Sequence, residues 1–258
     1  MLSHMFKLQV LILCVLSLFA PTALAEKIVI YGDEAYAPVI YLDHGKITGI
    51  LPDIFANVSK DTGDTYELIL VPWKRALQQS MYSKGGIVGI SVTKEREKLF
   101  DFSQPIYDDD LQLVVLKGHE FIFNDLKDLK GKTIGGAAGA IYGEDFARAK
   151  TAGIIVIDED PHQLSRMRKL LQGRMEVAII GNGIAGFESL LASDPELEAN
   201  RNKFTLLPRP LARDSLHLAF LKSMNMKPAL ARFNKALSDL KKTKEYKQII
   251  MRHDKSTH

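Results

Sequence analysis

The sequence predicts an α/β chain of two lobes, each a mainly parallel sheet flanked by helices, the two joined by a pair of strands. Short β-rich runs alternate with amphipathic helical runs, the order that gives parallel strands covered by helices. The alternation comes in two blocks, roughly 27–110 and 118–207, with no Gly/Ser linker between them. The joining segments, 111–117 and 214–222, themselves read as strands. The expected division is 26–112 with 214–258 in one lobe and 113–213 in the other.

The elements follow in order. "KIVIY" (27–31) is a strand. "PDIFANVSKDTG" places Pro52 in a first helical turn and Gly63 just past the end, the usual asymmetry of helix boundaries. "YELILV" (66–71) is a strand, and "WKRALQQSMYSK" (73–84) has helical spacing of Ala76, Leu77 and Met81. "GIVGISV" (86–92) and "LQLVVLK" (111–117) are strands. "KTIGGAA" leads as a strand into the helix of "AIYGEDFARAK". "GIIVID" precedes "PHQLSRMRKLLQG", a helix with Asp160 as N-cap, Pro161 in the first turn and Gly173 closing it. "MEVAIIG" and "LHLAFLK" (216–222) are strands. Two amphipathic helices, "PALARFNKALSDLKK" and "KEYKQIIMRH", end the chain and return to the first lobe.

A chain of 258 residues with 46% hydrophobic and 25% charged residues is ordinary for a globular protein with ample core. The net charge of +3 is spread along the chain and gives no case for nucleic acid. Lys7, the apolar run "LQVLILCVLSLFA" and the small-x-small "ALA" (23–25) form a secretory signal, so residues 1–25 are expected to be cleaved. Cys14 follows bulky Ile12 and Leu13, which argues against lipidation, and cleavage removes this single cysteine. The product is expected to be exported and free of disulfides.

In open α/β sheets, ligands sit beyond the carboxyl ends of the strands. After the first strand come Asp33, Tyr36 and Tyr41; after the second come Trp73 and Arg75; after the third come Ser91, Thr93 and Arg96. Arginine offers a planar fork for a carboxylate, hydroxyls and backbone N–H groups complete an anion site, and Tyr and Trp give flat walls. In the second lobe, "GGAAGAIYGEDF" is a Gly-rich strand-to-helix turn, but it matches neither a Walker loop nor a dinucleotide fingerprint. Gly181 and Asn182 lie at the mouth of a later strand. Asp108, Asp109 and Asp110 cannot all converge, because neighbours on a strand face opposite ways; they read as a polar entry to the connecting strand. The seven histidines show no metal-ligand spacing, so no metal and no cofactor is expected.

With these residues in view, the chain resembles the bacterial extracellular solute-binding proteins of family 3, the periplasmic receptors of polar amino acid ABC importers. The resemblance runs from about Lys27 to about His253 and is carried by "YAPVIY", "ISVTKEREKLFDFSQPIY", "DLKGKTIGGAAGAIYG" and "LLQGRMEVAII". "PWKRA" and "GAIYGEDF" look like a subgroup of it. The resemblance implies a type II periplasmic-binding-protein fold closing on a ligand like a clamshell. It places Arg96 on the arginine that grips an α-carboxylate, Ser91 and Gly89 on its hydrogen-bonding neighbours, Tyr36 and Trp73 on the aromatic walls, and Asp33 near the ligand's side chain. Arg75, Ala140, Ile141, Tyr142 and Asn182 complete the expected ligand-binding set.

Two departures from the family pattern bear on the ligand. Ala140 and Ile141 stand where a Thr or Ser is usual, and Gly181 stands where an Asp usually holds the ammonium. An amine buried without an anionic partner costs several kcal/mol. Either Asp33 or Glu34 replaces that partner, or the ligand is not an ordinary α-amino acid. The expectation is a monomeric periplasmic receptor for a small polar or carboxylate-bearing, amino-acid-like solute, delivered to an ABC permease in the inner membrane. The alternatives are a sensor module for a signalling partner and an enzyme of the dehydratase kind. An enzyme needs a cleft acid or base, and Gly181 stands at the second-lobe acid position, so no catalysis is expected.

Overall fold

The computed structural model describes residues 27–253; the expected signal segment and Cys14 lie outside the described residues. The first lobe opens with β1 (Lys27–Asp33), followed by a small antiparallel sheet of β2 (Ala35–Tyr36), β3 (Ile40–Asp43) and β4 (Lys46–Thr48). Helix α1 (Ile50–Thr62) buries Leu51, Ile54, Phe55 and Val58 on one face and stops at Gly63, whose φ of 74° is the left-handed cap glycine tolerates. Next come β5 (Thr65–Val71), α2 (Trp73–Met81), β6 (Gly86–Ile90), the short α3 (Lys94–Leu99) and β7 (Phe100–Phe102). β1 pairs in parallel with both β5 and β6, so three carboxyl ends lie side by side.

A long strand, β8 (Tyr107–Leu116), leads into the second lobe. There β9 (Ile134–Ala137), α4 (Glu144–Thr151), β10 (Ile157–Asp160), α5 (Gln163–Leu171) and β11 (Val177–Ile180) follow, with β9 parallel to both β10 and β11. α6 (Gly183–Ala192), α7 (Pro195–Ala199) and β12 (Phe204–Leu206) complete it, and β13 (Ala212–Leu221) leads back. Every residue of β11 is buried: Val177 and Ile179 pack with Phe146, Ala178 and Ile180 with Met167 and Leu190. That is the continuous apolar run a strand covered on both faces requires.

β8 and β13 are the joining pair. Tyr107–Leu111 pair antiparallel with Ala212–Leu216, after which β8 passes to β11 and β12 while β13 passes to β6 and β7. α8 (Lys227–Lys241) and α9 (Lys244–His253) return to the first lobe. Leu230, Phe233, Leu237 and Leu240 form a helical stripe against Ile54 and Phe55, and Phe233 lies 5.1 Å from Phe55, centroid to centroid. Burying each such side chain stabilises the fold by roughly 1.5–3 kcal/mol. No helix among the described residues is long and apolar enough to cross a membrane.

Two local expectations shift. β10 starts at Ile157 instead of Gly153, which has a φ of 67° and belongs to a turn. Asp160 ends β10 instead of capping α5 directly: its carboxylate accepts from the His162 N–H at 2.9 Å and from the Ser165 hydroxyl at 2.6 Å. The Asp108–Asp110 run lies within β8, not before it. Asp108 and Asp110 are exposed beside Arg213, whereas Asp109 is fully buried.

Candidate functional site

The carboxyl ends of β1, β5 and β6 face those of β9, β10 and β11 across a narrow cleft that encloses a cavity of about 60 Å³ between the lobes. The first lobe supplies Asp33 at the end of β1, Tyr36 on β2, Trp73 at the start of α2, and Gly89 and Ser91 at the end of β6. The second supplies Ala137, Ala140, Ile141 and Tyr142 from the Gly-rich turn, Pro161, Gln163 and Arg166 after β10, and Gly181 after β11. Asp214 enters from the joining strand β13.

Of the residues singled out in the sequence, Asp33, Tyr36, Trp73, Gly89, Ser91, Ala140, Ile141 and Tyr142 line this cleft. Arg75 is exposed on α2, outside it. Arg96 is buried behind the wall: Thr93 caps α3 by accepting from the Arg96 N–H, and the guanidinium donates from Nη1 to the Ser91 carbonyl at 2.9 Å. Burial lowers its pKa to about 10, against the pull of nearby Asp214. Asn182 is turned to the joining strands, where its side-chain carbonyl accepts from the Tyr107 hydroxyl and its N–H donates to Asp109. Its φ of 61° sets that orientation.

Contacts cross the cleft, so the lobes are closed. The Ser91 hydroxyl donates to Asp214 and lies 3.0 Å from the Ile141 carbonyl of the opposite lobe. The Lys94 N–H donates to Glu144 at 3.1 Å. Tyr36 reaches over Gly181, where a Cβ would stand 2.3 Å from its ring, and donates its hydroxyl to Asp109. The space an Asp would need at position 181 is thus filled by Tyr36. The turn's own polar groups are partly used: the Ala140 N–H donates to the Ala137 carbonyl at 3.0 Å, and the Ala137 N–H donates to the Tyr142 hydroxyl at 2.8 Å.

Burial raises the carboxyl pKa values in the cleft and behind it. Burial pushes Asp33 up to about 6, with the Ala35 N–H and Arg166 opposing. It pushes Asp214 up to about 6 against the Ser91 hydrogen bond and Arg96, and Asp109 up to about 7 against Tyr36 and the Asn182 N–H. Burial and the Asp109 charge hold the Tyr36 phenol well above its ordinary range. Aromatic walls, carboxyls and one lining guanidinium suit a small polar molecule that carries its own charges. Among the described residues no group of three or more His, Cys, Asp or Glu is placed to hold a metal ion.

Sequence reasoning missed Arg166, Gln163, Asp109 and Asp214. The first two carried a signal: Gln163, Arg166, Met167 and Leu170 fall on one helical stripe, so two polar residues share the buried face of α5.

Comparisons with known proteins agree with this geometry. The L-cystine-binding protein TcyJ of Escherichia coli K12 is 27% identical over 187 residues, 71% of this chain and 68% of that protein. A Salmonella typhimurium periplasmic binding protein of high arginine specificity superposes with a TM-score of 0.70 at 21% identity, covering 89% of this chain and 100% of that one. A histidine kinase sensor domain similar to periplasmic binding proteins superposes with a TM-score of 0.74 at 21% identity, covering 89% of this chain and 96% of that one. The two superpositions establish the fold. The sequence model of the bacterial extracellular solute-binding proteins, family 3, matches residues 28–254, and the chain belongs to that family.

Proposed function

We propose that the chain is a periplasmic receptor that captures a small, carboxylate-bearing, amino-acid-like solute between its lobes and delivers it to an ABC permease in the inner membrane. The observation that carries this reading is the closed cleft at facing strand ends, walled by Tyr36, Trp73 and Tyr142 and lined by Asp33, Ser91 and Arg166. Asp33 and Ser91 supply polar contacts from the first lobe, and the Ala140–Tyr142 turn supplies them from the second. Hinge closure along β8 and β13 excludes water, which strengthens the charge-assisted bonds inside. The reading needs no cofactor and no bond-breaking step.

A thermal-shift screen of amino acids, organic acids and amines tests it. A true ligand raises the melting temperature with the logarithm of its concentration. A screen in which no acid or amino acid stabilises the protein overturns the reading. A sensing role for the same cleft is the second reading, favoured by the fold shared with a histidine kinase sensor domain. Solute-dependent stimulation of a permease–ATPase in liposomes supports transport, and solute-dependent kinase autophosphorylation supports sensing.

A further inference from the structure

The chain departs from its family where an amine would be held. Gly181 stands in place of the usual Asp, and the space that side chain would need is filled by Tyr36, whose hydroxyl donates to Asp109. The acid is missing from the end of β11, but two acids stand together on the joining strands. Asp109 of β8 and Asp214 of β13 are directly paired in the antiparallel register. Directly opposed residues of such a pair present their side chains on one face. Asp109 is fully buried, and Asp214, 9% exposed, lines the cleft.

The hydrogen-bond partners of both carboxyls are neutral. Asp109 accepts from the Tyr36 hydroxyl and the Asn182 N–H, and Asp214 accepts from the Ser91 hydroxyl. A buried carboxylate with neutral partners is short of a positive charge. Arg96 lies near enough to Asp214 to draw its pKa down, yet burial outweighs that pull. The guanidinium bonds the Ser91 carbonyl at 2.9 Å, which takes one of its five N–H donors and is compatible with the carboxylate grip the family resemblance assigns to it.

An α-amino acid carries its ammonium and its carboxylate on the same carbon, so the partners of the two groups must be neighbours. Ser91 is the link between such neighbours: its carbonyl accepts from Arg96 and its hydroxyl donates to Asp214. That hydroxyl can keep its bond when an ammonium arrives, because a carboxylate offers about four lone-pair sites. Asp33, the other carboxyl lining the cleft, belongs to a different neighbourhood. It accepts from the Ala35 N–H at 3.0 Å, and the charges near it are those of Arg166, Glu34 and His162.

We propose that Asp214 holds the ligand's ammonium from the hinge, in place of the missing acid at position 181, while Arg96 holds the carboxylate. This rests on the reading of the cleft as a solute site and narrows the solute to an α-amino acid. Asp109 acts as a positioning residue, holding Tyr36 over Gly181.

The test is a thermal-shift panel of L-amino acids and of the α-hydroxy acids that match them, such as alanine with lactate, aspartate with malate and phenylalanine with phenyllactate, followed by calorimetry on the best pair. Wild type is expected to prefer the amino acid by about 30-fold, within the range of a charged hydrogen bond. Asp214→Asn should bring that ratio to within about threefold while hydroxy-acid binding persists, because a hydroxyl needs no anionic partner. Asp110→Asn, which removes the same charge from the exposed side of β8, should keep the full ratio. An Asp214→Asn protein with the wild-type preference overturns the proposal, as does a preference lost only in Asp33→Asn or Glu34→Gln. Should Asp214→Asn fail to fold by circular dichroism, a crystal structure of wild type with the best amino acid decides. An ammonium within hydrogen-bond distance of Asp214 supports the proposal, and one held by Asp33 or Glu34 overturns it. Wild type that binds acids without preferring the amine overturns this inference and leaves the solute site standing. A panel in which nothing binds overturns the solute-site reading itself.

Discussion

Gly181→Ala isolates closure from folding. Gly181 belongs to the second lobe and Tyr36 to the first, so the two meet only when the lobes are shut. A Cβ at position 181 would lie 2.3, 2.5 and 2.8 Å from three atoms of the Tyr36 ring and hydroxyl. Ordinary contact begins near 3.5 Å, so an overlap of about 1 Å must be relieved. Tyr36 can yield only by releasing its hydrogen bond to the Asp109 carboxylate, a bond worth about 1.5–3 kcal/mol. Since 1.4 kcal/mol is tenfold, the closed form should lose about 10- to 100-fold in population, and apparent affinity should fall by the same factor. The assay is calorimetry on the best solute of the screen, with small-angle scattering to read the radius of gyration and circular dichroism to confirm an unchanged fold. Adding Tyr36→Ala to the Gly181→Ala protein should restore closure in the scattering profile. Undiminished affinity in Gly181→Ala, with scattering that still shows compaction on ligand, would refute the reasoning.

Further outcomes follow from the buried carboxyls and the core. The Asp109 pKa is raised in the fold to about 7, so the fold binds more protons than the unfolded chain between roughly pH 4 and pH 7. Its contribution is present at low pH and lost as pH rises through 7: relative to Asp109→Asn, wild type should gain about 2–3 kcal/mol on going from pH 8 to pH 5 in urea unfolding. An equal pH dependence in the two proteins would contradict it. His217 runs the other way, since burial lowers its pKa and its neutral form is favoured, so wild type should lose stability relative to His217→Phe as pH falls below about 6.5. Phe233→Ala should destabilise by about 3–5 kcal/mol in urea unfolding, because Phe233 is fully buried between α1 and α8.

The parts of this molecule legible in the sequence were those set by local rules. Pro52 and Gly63 bracket α1 because ring geometry and a left-handed cap act within a few residues. The strand-end residues of β1, β5 and β6 come together because parallel pairing aligns carboxyl ends whatever the side chains are. What depends on distant pieces of chain was hidden. Nothing near Ser91 announces that β13 will bring Asp214 to its hydroxyl. Nothing near Asp109 announces that Tyr36 and Asn182 will bury and bond it. Arg166 and Gln163 looked like polar members of an amphipathic helix. Their stripe was readable, but which surface it meets depends on how α5 docks over β9 and β11. Asn182 was placed correctly at a strand mouth, yet its left-handed backbone turns its side chain to the joining strands.

The chain has a single tryptophan, and Trp73 lines the cleft with its indole N–H unpartnered. Its fluorescence therefore reports on the cleft without any label. Titrating wild type with the best acid of the screen should give a saturable change in emission, with the same midpoint as calorimetry. A solute that stabilises the protein and releases binding heat while the Trp73 spectrum stays fixed would place the ligand elsewhere and contradict the account.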